Sequence, residues 1–152
     1  MKPEIKAAFK EAAQQYDARI AAQKKAEEQR NPDREEFEAR WYSARQNIVV
    51  PALEQIRDEL RRHGWIAEVW TSDAVDQHAT LEIFKGSNMV AAGGRTKPRI
   101  SFSILPHSQS VTIAAYSISQ GGGSESKPLG EITGEFVQAK VLEFFERLTS
   151  GR

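Results

Sequence analysis

Acidic and histidine side chains occur close together at one point of the chain. Asp73, Asp76 and His78 lie within six residues, and His107 follows in a separate Pro-His-Ser-Gln segment. These residue types can ligate a metal ion or exchange a proton. Asp and small polar residues are equally typical of turns, and no specific catalytic, nucleotide-binding or zinc motif is present. We therefore predict turns here, with no metal and no cofactor, and an enzyme remains the third hypothesis.

One long segment of the chain has no acidic residue. The 42 residues from 83 to 124 lack Asp and Glu but contain Lys85, Arg95, Lys97 and Arg99. A cation cluster beside the backbone N–H groups of a Gly-Gly pair can hold phosphate. These four residues are therefore candidates for binding a phosphate ligand or a nucleic acid. Basic residues also protect the edges of sheets, and the charge pattern leaves that alternative open.

Large apolar side chains recur at helical spacing in the first 60 residues. Phe9 and Tyr16 share one stripe, and Trp41 belongs to a second, whereas Tyr42 must point to a different face from its neighbour. We expect these four side chains to anchor an interface with a second copy or with another protein. Packing of both helices on each other and on a sheet is the alternative. The first stripe consists of Ile5, Phe9, Ala12, Tyr16 and Ile20, and the second of Phe37, Trp41, Ala44, Ile48, Ala52, Ile56 and Leu60.

Two helices are predicted to carry these side chains. The first covers 3–29, and the second begins at Asn31 and Pro32 and ends before Gly64, in agreement with capping preferences. Because only one or two residues separate them, they should form an antiparallel hairpin. Pro51 interrupts the second helix, and the apolar stripe keeps its phase there, which favours a kink over a break.

Alternating apolar residues then predict four strands, and a helical pattern ends the chain. We expect the last helix to begin at Thr133, with Ile132 and Val137 placed for a hydrophobic staple. The Gly- and Ser-rich segment 119–130 before it predicts a flexible linker. The predicted strands are 65–71, 79–85, 99–105 and 110–119.

These elements together predict an α+β fold in the order α-α-β-β-β-β-α. It consists of an N-terminal antiparallel helical hairpin, a four-stranded antiparallel meander and a C-terminal helix packed on the sheet. We expect residues 1–63 to form the hairpin and 64–152 the sheet with its helix. One structural domain should result, with residues 1–30 as a possible arm.

Composition excludes several classes of protein. The chain has 152 residues, no Cys, and 21 basic against 21 acidic side chains. Disulfides, thiolate metal sites and a Cys nucleophile are therefore excluded. Zero net charge argues against strong non-specific binding to nucleic acid or membranes. The first residues lack the apolar region of a signal peptide, and no apolar stretch is long enough to cross a bilayer, so we expect a cytoplasmic protein without a membrane partner.

The favoured hypothesis is a small non-catalytic binding module. It would act through protein–protein contacts, by self-association or with a protein partner, and the helical hairpin would supply the interface. Binding of nucleic acid or a phosphate ligand through the basic segment 85–99 is the alternative.

Overall fold

A computed structural model describes residues 1–74, 77–86, 89, 97–105, 109–118 and 121–150, without the side chains of residues 27–31. The chain divides into two compact units, Met1–Glu36 and Phe37–Arg152. The predicted division at residues 63 and 64 stays a prediction. The elements are α1 (Pro3–Ala44), a π-helical turn (Arg45–Val49), α2 (Val50–Arg62), β1 (Ile66–Thr71), β2 (Ala79–Phe84), β3 (Arg99–Leu105), β4 (Ser110–Ser117), β5 (Gly121–Pro128) and α3 (Gly134–Thr149).

The fold class is α+β, as predicted, but the antiparallel sheet has five strands in the order β1-β2-β3-β4-β5. The four predicted strands are confirmed to within one or two residues at their ends. The flexible linker predicted at 119–130 was wrong, because Gly121–Pro128 pairs with β4 along its whole length. Backbone N–H and C=O groups form a ladder without help from side chains, so a Gly- and Ser-rich strand lacks the alternation that identifies other strands.

The predicted helical hairpin is also wrong. Helix α1 continues through Asn31 and Pro32, where a turn was expected. Residues with high helix propensity flank this point on both sides, and one internal proline removes only one backbone hydrogen bond. Among the described residues, no helix combines the length and apolar character needed to cross a membrane.

Pro51 is accommodated without a break in the helical backbone. The N–H of Val50 bonds to the carbonyl of Arg45, five residues earlier, and the backbone around this wider turn stays in the right-handed helical region. Pro51 then occupies the first turn of α2. The wider turn relieves the clash that a proline ring makes with the carbonyl four residues before it.

Helices α2 and α3 supply the apolar side chains that bury one face of the sheet. This inner face carries the apolar members of the predicted alternation, among them Leu81, Phe102 and Ile113. The boundary predictions hold: Thr133 caps α3 by accepting a hydrogen bond from Phe136 N at 3.1 Å, and Gly64 ends α2 with a φ of +83°. The α3 contribution to the core is Val137, Val141, Phe144 and Leu148.

Candidate functional site

The first unit exposes a row of large apolar side chains. Ile5, Phe9, Tyr16 and Ile20, here called the first-helix stripe, have exposed fractions between 39% and 66%. Their spacings of four, seven and four residues place them within one narrow face of α1. All other residues from 1 to 26 are exposed as well. The first-helix stripe therefore has no core around it.

The first-helix stripe is symmetric about its own centre. Isoleucines stand at both ends and aromatic residues stand inside them, at equal distances from the Ala12–Ala13 pair. Reading the stripe from either end therefore gives nearly the same order of side chains. A surface with this property is complementary to itself when a second copy runs antiparallel.

The structure separates Trp41 from the other proposed interface residues. Trp41 is fully buried in the core of the second unit, and its Nε1–H donates to the carbonyl of Gln77 at 2.8 Å. Its neighbour Tyr42 points elsewhere, as expected, and is half exposed, with the Arg45 guanidinium carbon 5.2 Å from the centre of its ring. Of the four proposed anchors, Phe9, Tyr16 and Tyr42 are accessible to a partner.

Three of the four proposed phosphate-binding cations lie over aromatic rings. Lys97 Nζ is 4.9 Å from the centre of the Phe84 ring, and Arg99 Cζ is 5.0 Å from that of Tyr116. Lys85 lies apart from them, with Nζ 5.5 Å from the Trp65 ring. The fourth candidate, Arg95, is outside the described residues, as is the Gly-Gly pair before it.

The face of the sheet opposite the helices is polar from β3 to β5. Cross-strand register aligns Arg99 with Tyr116, Ser103 with Thr112 and Thr112 with Ser126. Strands β3 to β5 are described in full, and they present no acidic side chain on this face. We call this surface the outer hydroxyl face; its members are Arg99, Ser101, Ser103, Thr112, Tyr116, Ser124 and Ser126.

The acidic and histidine residues do not form one site among the described residues. Asp73 Oδ1 accepts a hydrogen bond from Arg45 Nη2 at 2.7 Å, while His78 Nδ1 lies 3.0 Å from Thr80 Oγ1. Asp76 and His107 are outside the described part of the chain. Within that part, no three His, Asp or Glu side chains are grouped as metal ligands would be.

The most deeply buried charge was missed by sequence reasoning. Arg45 is 2% exposed, donates to the carbonyl of Ser72 at 2.8 Å and to Asp73, and so ties the π-helical turn to the segment after β1. Arg45 Nε and Gln77 Oε1 are buried without a hydrogen-bond partner in the described structure. The sequence pattern placed the apolar Ala44 on the buried stripe, but Arg45, four residues after Trp41 on the same side of the helix, is the one that is buried.

A groove lies between α3 and the edge of the sheet at β4 and β5. Its cavity of about 360 Å³ exists because Gly121 and Gly123 present no side chain, and a Cβ on either would meet nothing within 4 Å. Lys140 crosses the groove to pair with Glu125. This hydrogen bond lowers the pKa of Glu125 below its ordinary 4.5 and raises the pKa of Lys140 above its ordinary 10.5. The charges in the groove are therefore paired with each other.

Comparisons with family models, curated proteins and solved structures give no match for this chain.

Proposed function

We propose that this chain is a small assembly module that pairs with a second copy of itself through the first-helix stripe. The observation that carries the proposal is the exposed row of four large apolar side chains, symmetric about Ala12 and Ala13. The module would act in the cytoplasm, with a protein rather than a membrane as its partner.

The symmetry of the stripe favours a second copy over an unrelated partner. In an antiparallel pair centred on Ala12 and Ala13, Ile5 lies at the level of Ile20 of the second copy. Phe9 then lies at the level of Tyr16 of the second copy, so each aromatic ring meets another aromatic ring. The small alanines at the centre allow the two helix backbones to approach closely. One patch thus serves both copies, as a two-fold interface requires.

The exposed apolar area of the first-helix stripe determines how tightly two copies are expected to bind. Four partly exposed side chains of this size present on the order of 400 Å² of apolar surface. With flanking atoms, a pair would bury roughly 1,000 Å² in total, which is at the lower limit of specific interfaces. We therefore expect a reversible dimer whose population depends on protein concentration.

Light scattering after size exclusion, over a range of protein concentrations, tests the proposal. The mass should rise from that of one chain to that of two as concentration increases. The double variant Phe9→Ser/Tyr16→Ser should remain a monomer throughout. A matched control, Gln14→Ser/Lys25→Ser, makes the same number of helix-weakening changes on the opposite side of α1 and should dimerise like the wild type. A wild-type monomer at every concentration, or equal loss in both variants, would refute the proposal.

Single cysteines distinguish an antiparallel pair from a parallel one, because the native chain has none. Ala12→Cys lies near the two-fold axis and should form a disulfide-linked dimer on oxidation. Ile5→Cys should not, because the two residues 5 are separated by about 22 Å along an antiparallel pair. Efficient cross-linking of Ile5→Cys as well as Ala12→Cys would instead indicate parallel helices.

A further inference from the structure

The outer hydroxyl face contains a depression that the assembly function does not use. Its volume is about 350 Å³, and Arg99, Ser101, Tyr116 and Ser124 are among its lining residues. The depression exists because small residues stand between larger ones: Ala114 lies between Ser101 and Ser124, and Gly122 faces Tyr116. A shallow depression with this lining gives a ligand access to a cation and to hydroxyl groups together.

The Arg99 guanidinium is held at this depression by an aromatic ring and not by a carboxylate. Register places Glu82 opposite Arg99 on one side and Tyr116 opposite it on the other. The guanidinium lies over Tyr116, and the described carboxylates form no ion pair with it. An aromatic ring positions a cation without cancelling its charge. Arg99 is therefore not held in an ion pair by a described carboxylate, although Glu82 faces it across the strand pair.

A second cation repeats the arrangement on the same side of the sheet. Lys97 precedes Arg99 by two residues and lies over Phe84. Two residues of extended chain place the two Cα atoms about 7 Å apart. The two side chains lean apart, because Phe84 belongs to β2 and Tyr116 to β4, on either side of β3. Only Arg99 lines the depression. A single small anion would need one of these cations, whereas a chain of phosphates can use both.

We propose that the outer hydroxyl face binds the backbone of single-stranded nucleic acid. Arg99 contacts one phosphate in the depression and Lys97 contacts another phosphate of the same strand, while the hydroxyl of Ser124 donates to a phosphate or sugar oxygen. The absence of acidic side chains on this face of β3 to β5 matches the negative charge of the ligand. An open sheet with cations and aromatic rings suits a single strand, whose backbone and bases can both lie along such a surface.

The experiment is a fluorescence-anisotropy titration of the full chain with a labelled single-stranded 12-mer, repeated at several salt concentrations. The variant Lys97→Gln/Arg99→Gln should bind at least about tenfold more weakly. Its plot of log affinity against log salt should be shallower by about 1.4, the value for two lost phosphate contacts on a single strand. Lys24→Gln/Lys25→Gln changes net charge equally on exposed α1 and should bind like the wild type.

A second variant distinguishes a loss of binding from a loss of folded structure. Ser124→Asp places a carboxylate at an exposed position in the depression, so it should weaken binding while leaving the thermal unfolding temperature unchanged. Three results would overturn the proposal: no binding by the wild type, equal weakening in the Lys24/Lys25 control, or equal affinity for a duplex of the same length. Competition by a mononucleotide at equal phosphate concentration would overturn it too, in favour of a free nucleotide site.

Discussion

The two units use the same kinds of side chain in opposite ways. In Met1–Glu36, Phe9 and Tyr16 are exposed on a helix whose described side chains from 1 to 26 are all exposed. In the second unit, Phe37 and Trp41 are buried with aliphatic residues of the sheet, α2 and α3 in one core. Equal helical periodicity therefore marks a core in one unit and an accessible surface in the other. Helical periodicity identifies the residues that share one face of a helix. It does not show whether another segment of the chain packs against that face.

The largest difference between the units is expected in the free energy of unfolding when one aromatic residue of each is replaced by alanine. Trp41→Ala removes a fully buried indole and its hydrogen bond to Gln77, so we expect the free energy of unfolding to fall by about 3–5 kcal/mol. Phe9→Ala should change it by less than about 0.5 kcal/mol. Urea denaturation followed by far-UV circular dichroism, at a concentration where the chain is monomeric, measures both. Similar losses in the two variants would mean that Phe9 is packed in a core.

Replacing one arginine in each unit compares a buried charged side chain with an exposed one. Arg45→Met removes two hydrogen bonds at a buried position, and we expect a loss of about 1–3 kcal/mol in the free energy of unfolding. Arg19→Met, on the exposed first unit, should be nearly neutral.

Asp73→Ala separates the two contacts of Arg45. It should cost about 1 kcal/mol or less, because the carboxylate is largely exposed and the bond from Arg45 to Ser72 remains. If Asp73→Ala destabilises the chain as much as Arg45→Met, the ion pair rather than the backbone contact holds this segment.

The smallest expected change in stability comes from the ion pair between Glu125 and Lys140, which joins β5 to α3. Since Lys140 lowers the pKa of Glu125, the pair stabilises the fold at pH values above 4.5 and loses this contribution as pH falls through the lowered pKa. At the other end, Lys140 loses its contribution as pH rises through its raised pKa.

Glu125→Gln tests this dependence on pH. Both side chains are partly exposed, so the variant should be less stable than the wild type at pH 7 by only about 0.5 kcal/mol. The difference should disappear in acid once Glu125 of the wild type is protonated. Denaturation curves of both proteins from neutral to acidic pH provide the measurement, and a difference that persists in acid would assign the effect to packing instead.

Local signals predicted much of the second unit. Strands β1 to β4 carry strict alternation, so their bounds and their inner faces followed from the positions of residues such as Leu81 and Ile113. Thr133 and Gly64 marked helix ends because capping and left-handed backbone depend on one or two residues alone. The proposed role of the candidate cations Lys85, Arg95, Lys97 and Arg99 stays a prediction.

Other features depend on contacts distant in sequence. Strand β5 has no apolar alternation, and only its ladder with β4 makes it a strand. The pair Glu125–Lys140 was missed for the same reason. Arg45 and Val49 are buried where Ala44 and Ile48 were expected, and the partners of Arg45, Ser72 and Asp73, lie far away in sequence.

The sequence by itself determined the fold class, four strands, the caps of the last helix and the symmetric order of the first-helix stripe. Each of these depends on side chains close together in the chain. The tertiary structure alone decided that Trp41 is core, that Arg45 is buried, that a Gly-rich segment completes the sheet, and that Arg99 lies over Tyr116. These features require backbone pairing or packing between distant residues, and no local pattern of residue types encodes such partners.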